Sequence, residues 1–124
     1  AEGLPSPAEA SARIERTLTT IKASGVVALL RAKGDPEVAV ARGVELVQMG
    51  CSAIEVTLDS ADWARTLSRL RQVLPAHVAV GVGTVMDDTV GEIRRAADLG
   101  ADFALSPIDP IGFVEECGRR GVLA

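Results

Sequence analysis

Four short segments carry the residues whose types could do chemistry. Glu55 is the most informative, because it sits inside an apolar run, Ala53-Ile54-Glu55-Val56-Thr57-Leu58. A buried, unpaired carboxylate costs several kcal/mol. It survives there if it has a partner such as Arg31, or if its pKa is raised for acid/base work. Arg31 follows the run Val26–Leu30, where it could hold a carboxylate or phosphate, pair with Glu55, or sit solvated in a loop. Gly81-Val82-Gly83-Thr84-Val85 offers two glycines for close approach of a ligand to the backbone, and a hydroxyl at Thr84. A tight strand-to-loop turn explains that segment equally well. Met86 stands where a dinucleotide fingerprint needs its third glycine, so that reading fails. Ser106-Pro107 closes a fourth apolar run, and the proline fixes the direction of the loop.

The elements that must position these residues follow a cycle. A helix begins at Ser6 or Pro7 and ends near Ser24-Gly25, with Ile14, Leu18 and Ile21 on one face. Apolar strands then begin near residues 26, 53, 77 and 102, a repeat of about 25 residues. Helices lie between them. Asp35-Pro36, Ser60, Asp87 or Asp88, and Asp109-Pro110 are the expected starts. Gly50, Pro75, Gly100 and Gly121 are the expected stops. Phe113, Val114 and Cys117 are expected to face inward, and Arg94-Arg95 and Arg119-Arg120 to face solvent late in their helices. Val122-Leu123-Ala124 reads as the start of a fifth strand.

Continuous apolar strands alternating with helices indicate a parallel sheet covered by helices. A (β/α)8 barrel and an open doubly wound sheet compete. In the second strand Ala53, Glu55 and Thr57 share one face, and Ile54, Val56 and Leu58 the other. A small and polar face suits a barrel interior near its mouth, so the α/β (β/α)8 TIM barrel is favoured. Residues 1–7 are expected to be a flexible tail. Residues 8–124 are expected to be the N-terminal half of a barrel domain, with an N-terminal helix and the first four βα units. Half a barrel has open edges, so the chain either continues or needs a partner.

Composition removes several function classes. Aromatics are 2% of the chain and the net charge is -4, which argues against a nucleic-acid surface. No apolar run approaches the length of a membrane span. With one His, and Cys51 and Cys117 far apart, no zinc site or other metal is expected. Two buried free thiols suit a reducing compartment, cytoplasm or an organelle interior, and not secretion. His77 lies at the wrong end of its strand for catalysis.

Taken in order, Val26–Arg31, Ile54–Leu58, Gly81–Val85 and Phe103–Pro107 resemble the motifs of the 2-keto-3-deoxy-6-phosphogluconate (KDPG) and 2-keto-4-hydroxyglutarate aldolase family. The resemblance spans nearly all of residues 14–124. It implies a class I aldolase that cleaves a 2-keto-4-hydroxy acid to pyruvate and an aldehyde, with no cofactor. It implies a compact barrel, homotrimeric at full length; a structural half-barrel within a larger complex is the alternative. By the resemblance Glu55 is the acid/base, Thr84 lies near the pyruvate carboxylate, Arg31 and Pro107 wall the pocket, and Gly83 is a further substrate-binding position. Two departures stand out. Asp59 occupies a position where many members carry Arg. The Schiff-base lysine of the sixth strand is not in this sequence, whose lysines are Lys22 and Lys33.

Overall fold

The structure is a computed structural model that describes residues 3–86 and 88–124. Its first helix, α1 (Pro7–Ser24), starts at a reciprocal cap. The Glu9 amide donates to the Ser6 hydroxyl (3.1 Å), and the Ser6 amide donates to the Glu9 carboxylate (3.2 Å). Gly25, at φ 74°, ends the helix in a left-handed turn that a side chain would strain. The cycle then runs β1 (Ala28–Leu30), α2 (Pro36–Gln48), β2 (Ala53–Thr57), α3 (Trp63–Val73), β3 (Ala79–Gly83), α4 (Thr89–Asp98), β4 (Phe103–Ala104) and α5 (Phe113–Arg120). Asp35 caps α2 by accepting from the Glu37 amide at 2.9 Å. Asp88 caps α4; Asp87 lies outside the described residues.

The four strands form one parallel sheet in the order β1-β2-β3-β4. A doubly wound sheet reverses its strand order at a switch point, and this one does not. With right-handed crossovers throughout, an unreversed order puts every connecting helix on the same face. Ile54, Val56, Val80 and Val82 pack outward against Leu67, Leu70 and Ile93 of that helical layer. The other face holds a smaller cluster, Ala53, Ala79 and Phe103, closed by Ile21 of α1, Val27 and Leu123. This is the α/β arrangement of a (β/α) barrel seen over part of its circumference. The fifth strand also begins as expected. Leu123 bridges Phe103 in parallel, accepting from the Ala104 amide (2.8 Å) and donating to the Asp102 carbonyl (3.0 Å).

Four local expectations are corrected. Ser60 does not cap α3. Its hydroxyl accepts from the Ala32 amide (3.0 Å) and lies 2.9 Å from the Thr57 hydroxyl, so it laces the loops after β1 and β2 together. The helix instead starts after Asp62, at φ 48°, with no side-chain cap. Asp109-Pro110 does not cap α5, which begins after Gly112 at φ 82°. Val114 is exposed, because the buried stripe of α5 runs through Phe113, Glu116 and Cys117. Arg120 is not a solvent-facing cation. Only 13% of its side chain is exposed, and its Nε donates to buried Glu116 at 2.6 Å. Arg119 pairs with the same carboxylate. Cys51 is half-buried and Cys117 buried; both are free thiols.

Candidate active site

In a parallel strand the C-terminal end of each β-segment faces one rim, and Arg31, Asp59, Thr84 and Ser106 all follow such ends. Strand register sets Glu55 beside Leu29 and Gly81, and Thr57 beside Gly83. Glu55 is only 6% exposed. Its carboxylate lies over Gly83, where a Cβ would overlap it. Glycine at 83 therefore makes the room that lets the carboxylate point along the sheet toward the rim. Burial raises the Glu55 pKa above the usual carboxylate value, and the nearby Arg31 charge offsets part of that rise. No hydrogen bond or ion pair reaches this carboxylate among the described residues.

The pairing of Glu55 with Arg31 that the sequence left open does not form. Arg31 turns instead to Asp59, with its Nε 3.2 Å from both carboxylate oxygens. Its Nη2 donates to the Thr84 hydroxyl at 3.4 Å. Asp59 is held below the usual carboxylate range, first by the Thr57 hydroxyl and then by Arg31. The pair is about half exposed, so it contributes little to stability. Thr84 sits at φ 61°, a left-handed conformation that a β-branched residue rarely adopts. Backbone bonds tie the rim loops together. The Leu58 amide donates to the Gly83 carbonyl (2.9 Å) and the Ala61 amide to the Ala32 carbonyl (2.8 Å). The Ser106 hydroxyl donates to the Val85 carbonyl (2.6 Å) and accepts from the Ile108 amide (3.2 Å). Pro107 between them is exposed.

Arg31, Glu55, Gly83 and Thr84 thus fall at one rim, and Pro107 shapes the fourth loop of that rim. Sequence reasoning missed the pairing of Asp59 with Arg31, reading Asp59 only as a departure from the Arg that many family members carry there. Opposite charges just beyond adjacent parallel strands were the available signal. Lys22 and Lys33 are both exposed, in α1 and in the loop after β1. Among the described residues no three His, Cys, Asp or Glu side chains converge as metal ligands. None of the described helices is long and apolar enough to cross a membrane. A cavity of about 770 Å³ lies at the opposite end, between α1 and the loops before β3 and β4. His77 and Asp102 line it, and no rim residue does.

A parallel α/β sheet with a buried, unpaired acid at a strand's C-terminal end defines a (β/α)-barrel protein with a candidate acid/base site. The comparisons make this more particular. The chain is 34% identical over 82 residues to a probable 2-dehydro-3-deoxy-6-phosphogalactonate aldolase of Rhizobium meliloti (strain 1021), covering 58% of this chain and 38% of that protein. It superposes on the solved native KDPGal structure with a TM-score of 0.70 at 21% identity, over 77% of this chain and 45% of the other. A cube-shaped, highly porous protein cage, designed by fusing symmetric oligomeric domains, gives the same score and identity over 34% of its chain. No family model matches. The sequence and fold likenesses together support a KDPG-type aldolase family, over part of its members' length. The chain spans less than half the length of these relatives.

Proposed function

We propose that residues 8–124 form the N-terminal half of a class I aldolase barrel that cleaves KDPG, or a related 2-keto-4-hydroxy acid, to pyruvate and an aldehyde. The observation that carries this reading is Glu55: buried, unpaired among the described residues, raised in pKa, and aimed over Gly83 at the rim. A carboxyl group placed there can both take and return a proton at the reacting centre. A lysine amine from the other half of the barrel condenses with the C2 ketone and loses water, giving a protonated Schiff base. Glu55, directly or through water, takes the C4-hydroxyl proton. The C3–C4 bond then breaks, the aldehyde leaves, and the electron pair moves into the Schiff base to give an enamine. Return of the proton to C3 and hydrolysis release pyruvate. Arg31, Thr84 and Gly83 lie where they would receive the substrate carboxylate, and Pro107 would wall the pocket.

A homotrimer is the assembly that accompanies this reading, in a reducing compartment consistent with two free thiols. A second reading, a non-catalytic half-barrel in a larger complex, draws on one observation. Leu29, in register with Glu55, and Leu105, just past β4, are 51% and 44% exposed. One experiment separates the two. The full natural chain is treated with pyruvate and borohydride and its intact mass measured. One reduced pyruvate adduct, mapped to a lysine outside residues 1–124, supports the aldolase. No adduct overturns it and leaves the structural reading.

A further inference from the structure

Asp59 poses a problem for the reading above, because a carboxylate at a rim that receives an anion works against binding. The geometry of its pair with Arg31 resolves it. Asp59 engages Arg31 only at Nε, 3.2 Å from each of its oxygens. The guanidinium is planar and rigid, so fixing one edge fixes the direction of the others. Its Nη2 points at the Thr84 hydroxyl, 3.4 Å away, just past the end of β3, the strand next to that of Glu55. The Nη1–Nη2 edge can still make a two-point carboxylate contact, and no carboxylate occupies it among the described residues.

We propose that Asp59 is a positioning residue that turns Arg31 into a carboxylate clamp: it holds the Nε edge and leaves the Nη edge, beside Thr84, for the carboxylate of a small 2-oxo monoacid. The inference rests on the aldolase reading for its substrate class. Three observations support it beyond the ion pair itself. The pair is half exposed, so stability does not account for it. Thr84 is held in a strained backbone conformation that brings its hydroxyl to Arg31. The Ser60 hydroxyl ties the Asp59 loop to the Arg31 loop through the Ala32 amide, so the two charges move as one unit. Charge compensation has a consequence for selectivity. A guanidinium already balanced by Asp59 gains from directional hydrogen bonds more than from net charge, which favours a planar monoanionic carboxylate over a dianion at this point.

The test compares Asp59→Ala, Asp59→Glu and Arg31→Gln with wild type, all in the full natural chain. The probes are pyruvate and pyruvamide, the latter keeping the ketone but lacking the carboxylate charge. Dissociation constants are read from the amide shifts of Gly83 and Thr84. The clamp predicts that Asp59→Ala weakens pyruvate binding about tenfold, that Arg31→Gln weakens it at least as much, and that Asp59→Glu recovers most of the loss. Pyruvamide affinity stays level throughout. Tighter pyruvate binding in Asp59→Ala would show that Asp59 merely competes for Arg31, and overturns the proposal. Equal losses for both probes would show a general loss of the rim's structure, and also overturn it. Borohydride trapping reports separately on the aldolase reading. A chain that binds pyruvate in an Asp59-dependent way without a trappable adduct keeps the clamp and loses the aldolase. A chain that neither binds nor traps pyruvate loses both.

Discussion

The two ends of the sheet are built to opposite specifications. At the N-terminal end Ala53, Ala79 and Phe103 are at most 3% exposed and pack under Ile21, Val27 and Leu123. Gly81, in register with Glu55, makes room for this packing from mid-strand, since a Cβ at that position would overlap Phe103. Asp102 at this end is paired, its Oδ2 accepting from Arg71 (2.5 Å) and from the Val80 amide (3.0 Å). At the C-terminal rim Arg31 and Asp59 are half exposed and Glu55 is buried without a partner. The non-glycine residues at positive φ among those described, Asp62 and Thr84, both lie in rim loops. Left-handed backbone at such residues costs on the order of 1–3 kcal/mol each. One end gains stability from close packing, and the other holds strain and an unpaired acid. That division is the one expected when a barrel keeps its chemistry at the C-terminal face.

Substitutions at the two ends should therefore separate activity from stability. The largest effect is expected from Glu55→Gln. In the full natural chain it should lower kcat by roughly 10²- to 10⁴-fold while leaving urea unfolding cooperative. A variant with wild-type turnover would remove Glu55 from the chemistry. Phe103→Ala tests the other end. Emptying that site should cost about 3–5 kcal/mol in urea denaturation, with the pyruvate affinity of the folded fraction retained.

The two glycines of β3 sharpen the contrast within one strand. Gly81→Ala presses on Phe103, including its backbone carbonyl, and should cost about 1–3 kcal/mol of stability. At Gly83→Ala the nearest atoms met all belong to the Glu55 side chain, which can swing aside. It should spare stability and lower turnover on the order of 10²-fold by misplacing the carboxylate. Equal stability losses at both positions would dissolve the distinction between the ends.

The smallest effect is a pH dependence. Burial raises the Glu55 pKa above 4.5, so the folded state favours its neutral form. The stability that Glu55 contributes is fully present below its unfolded value of 4.5, and is lost as pH rises through the folded value. Glu55→Gln escapes that loss. It should melt slightly above wild type at pH 7, and the gap should close as pH falls to 4.5 and below. A gap that widens on acidification would mean that the carboxylate is stabilised as an anion.

Much of the fold was legible in the chain because its signals are local. The Ser6-Pro7 start of α1, the Asp35 cap of α2 and the stops at Gly25, Gly50 and Gly121 depend on backbone chemistry within a turn or two. The alternation through Ala53, Glu55 and Thr57 exposed the inner face of β2 and, with it, the barrel. The errors fall where a distant partner outbids a local rule. Ser60 is a good capping residue, yet its hydroxyl goes to the Ala32 amide, far off in the chain. Asp109-Pro110 has the composition of a helix start, and Gly112 takes that place. Glu116 displaces Val114 from the buried stripe because Arg119 and Arg120 neutralise it.

The candidate site divides in the same way. The sequence by itself determined that Arg31, Glu55, Gly83 and Thr84 would meet at one rim, since strand period and parallel order dictate which side chains share a face and an end. It could not determine whom Arg31 would choose. Glu55 and Asp59 both lie within reach of its loop, and only the packed structure decides between them. Glu55 lies over Gly83 on the inner face of the sheet, where burial disfavours its charge, while Asp59 stays at the solvated rim, its charge favoured by the Thr57 hydroxyl. The guanidinium pairs with the carboxylate at the solvated rim, and the buried acid is left without a partner among the described residues.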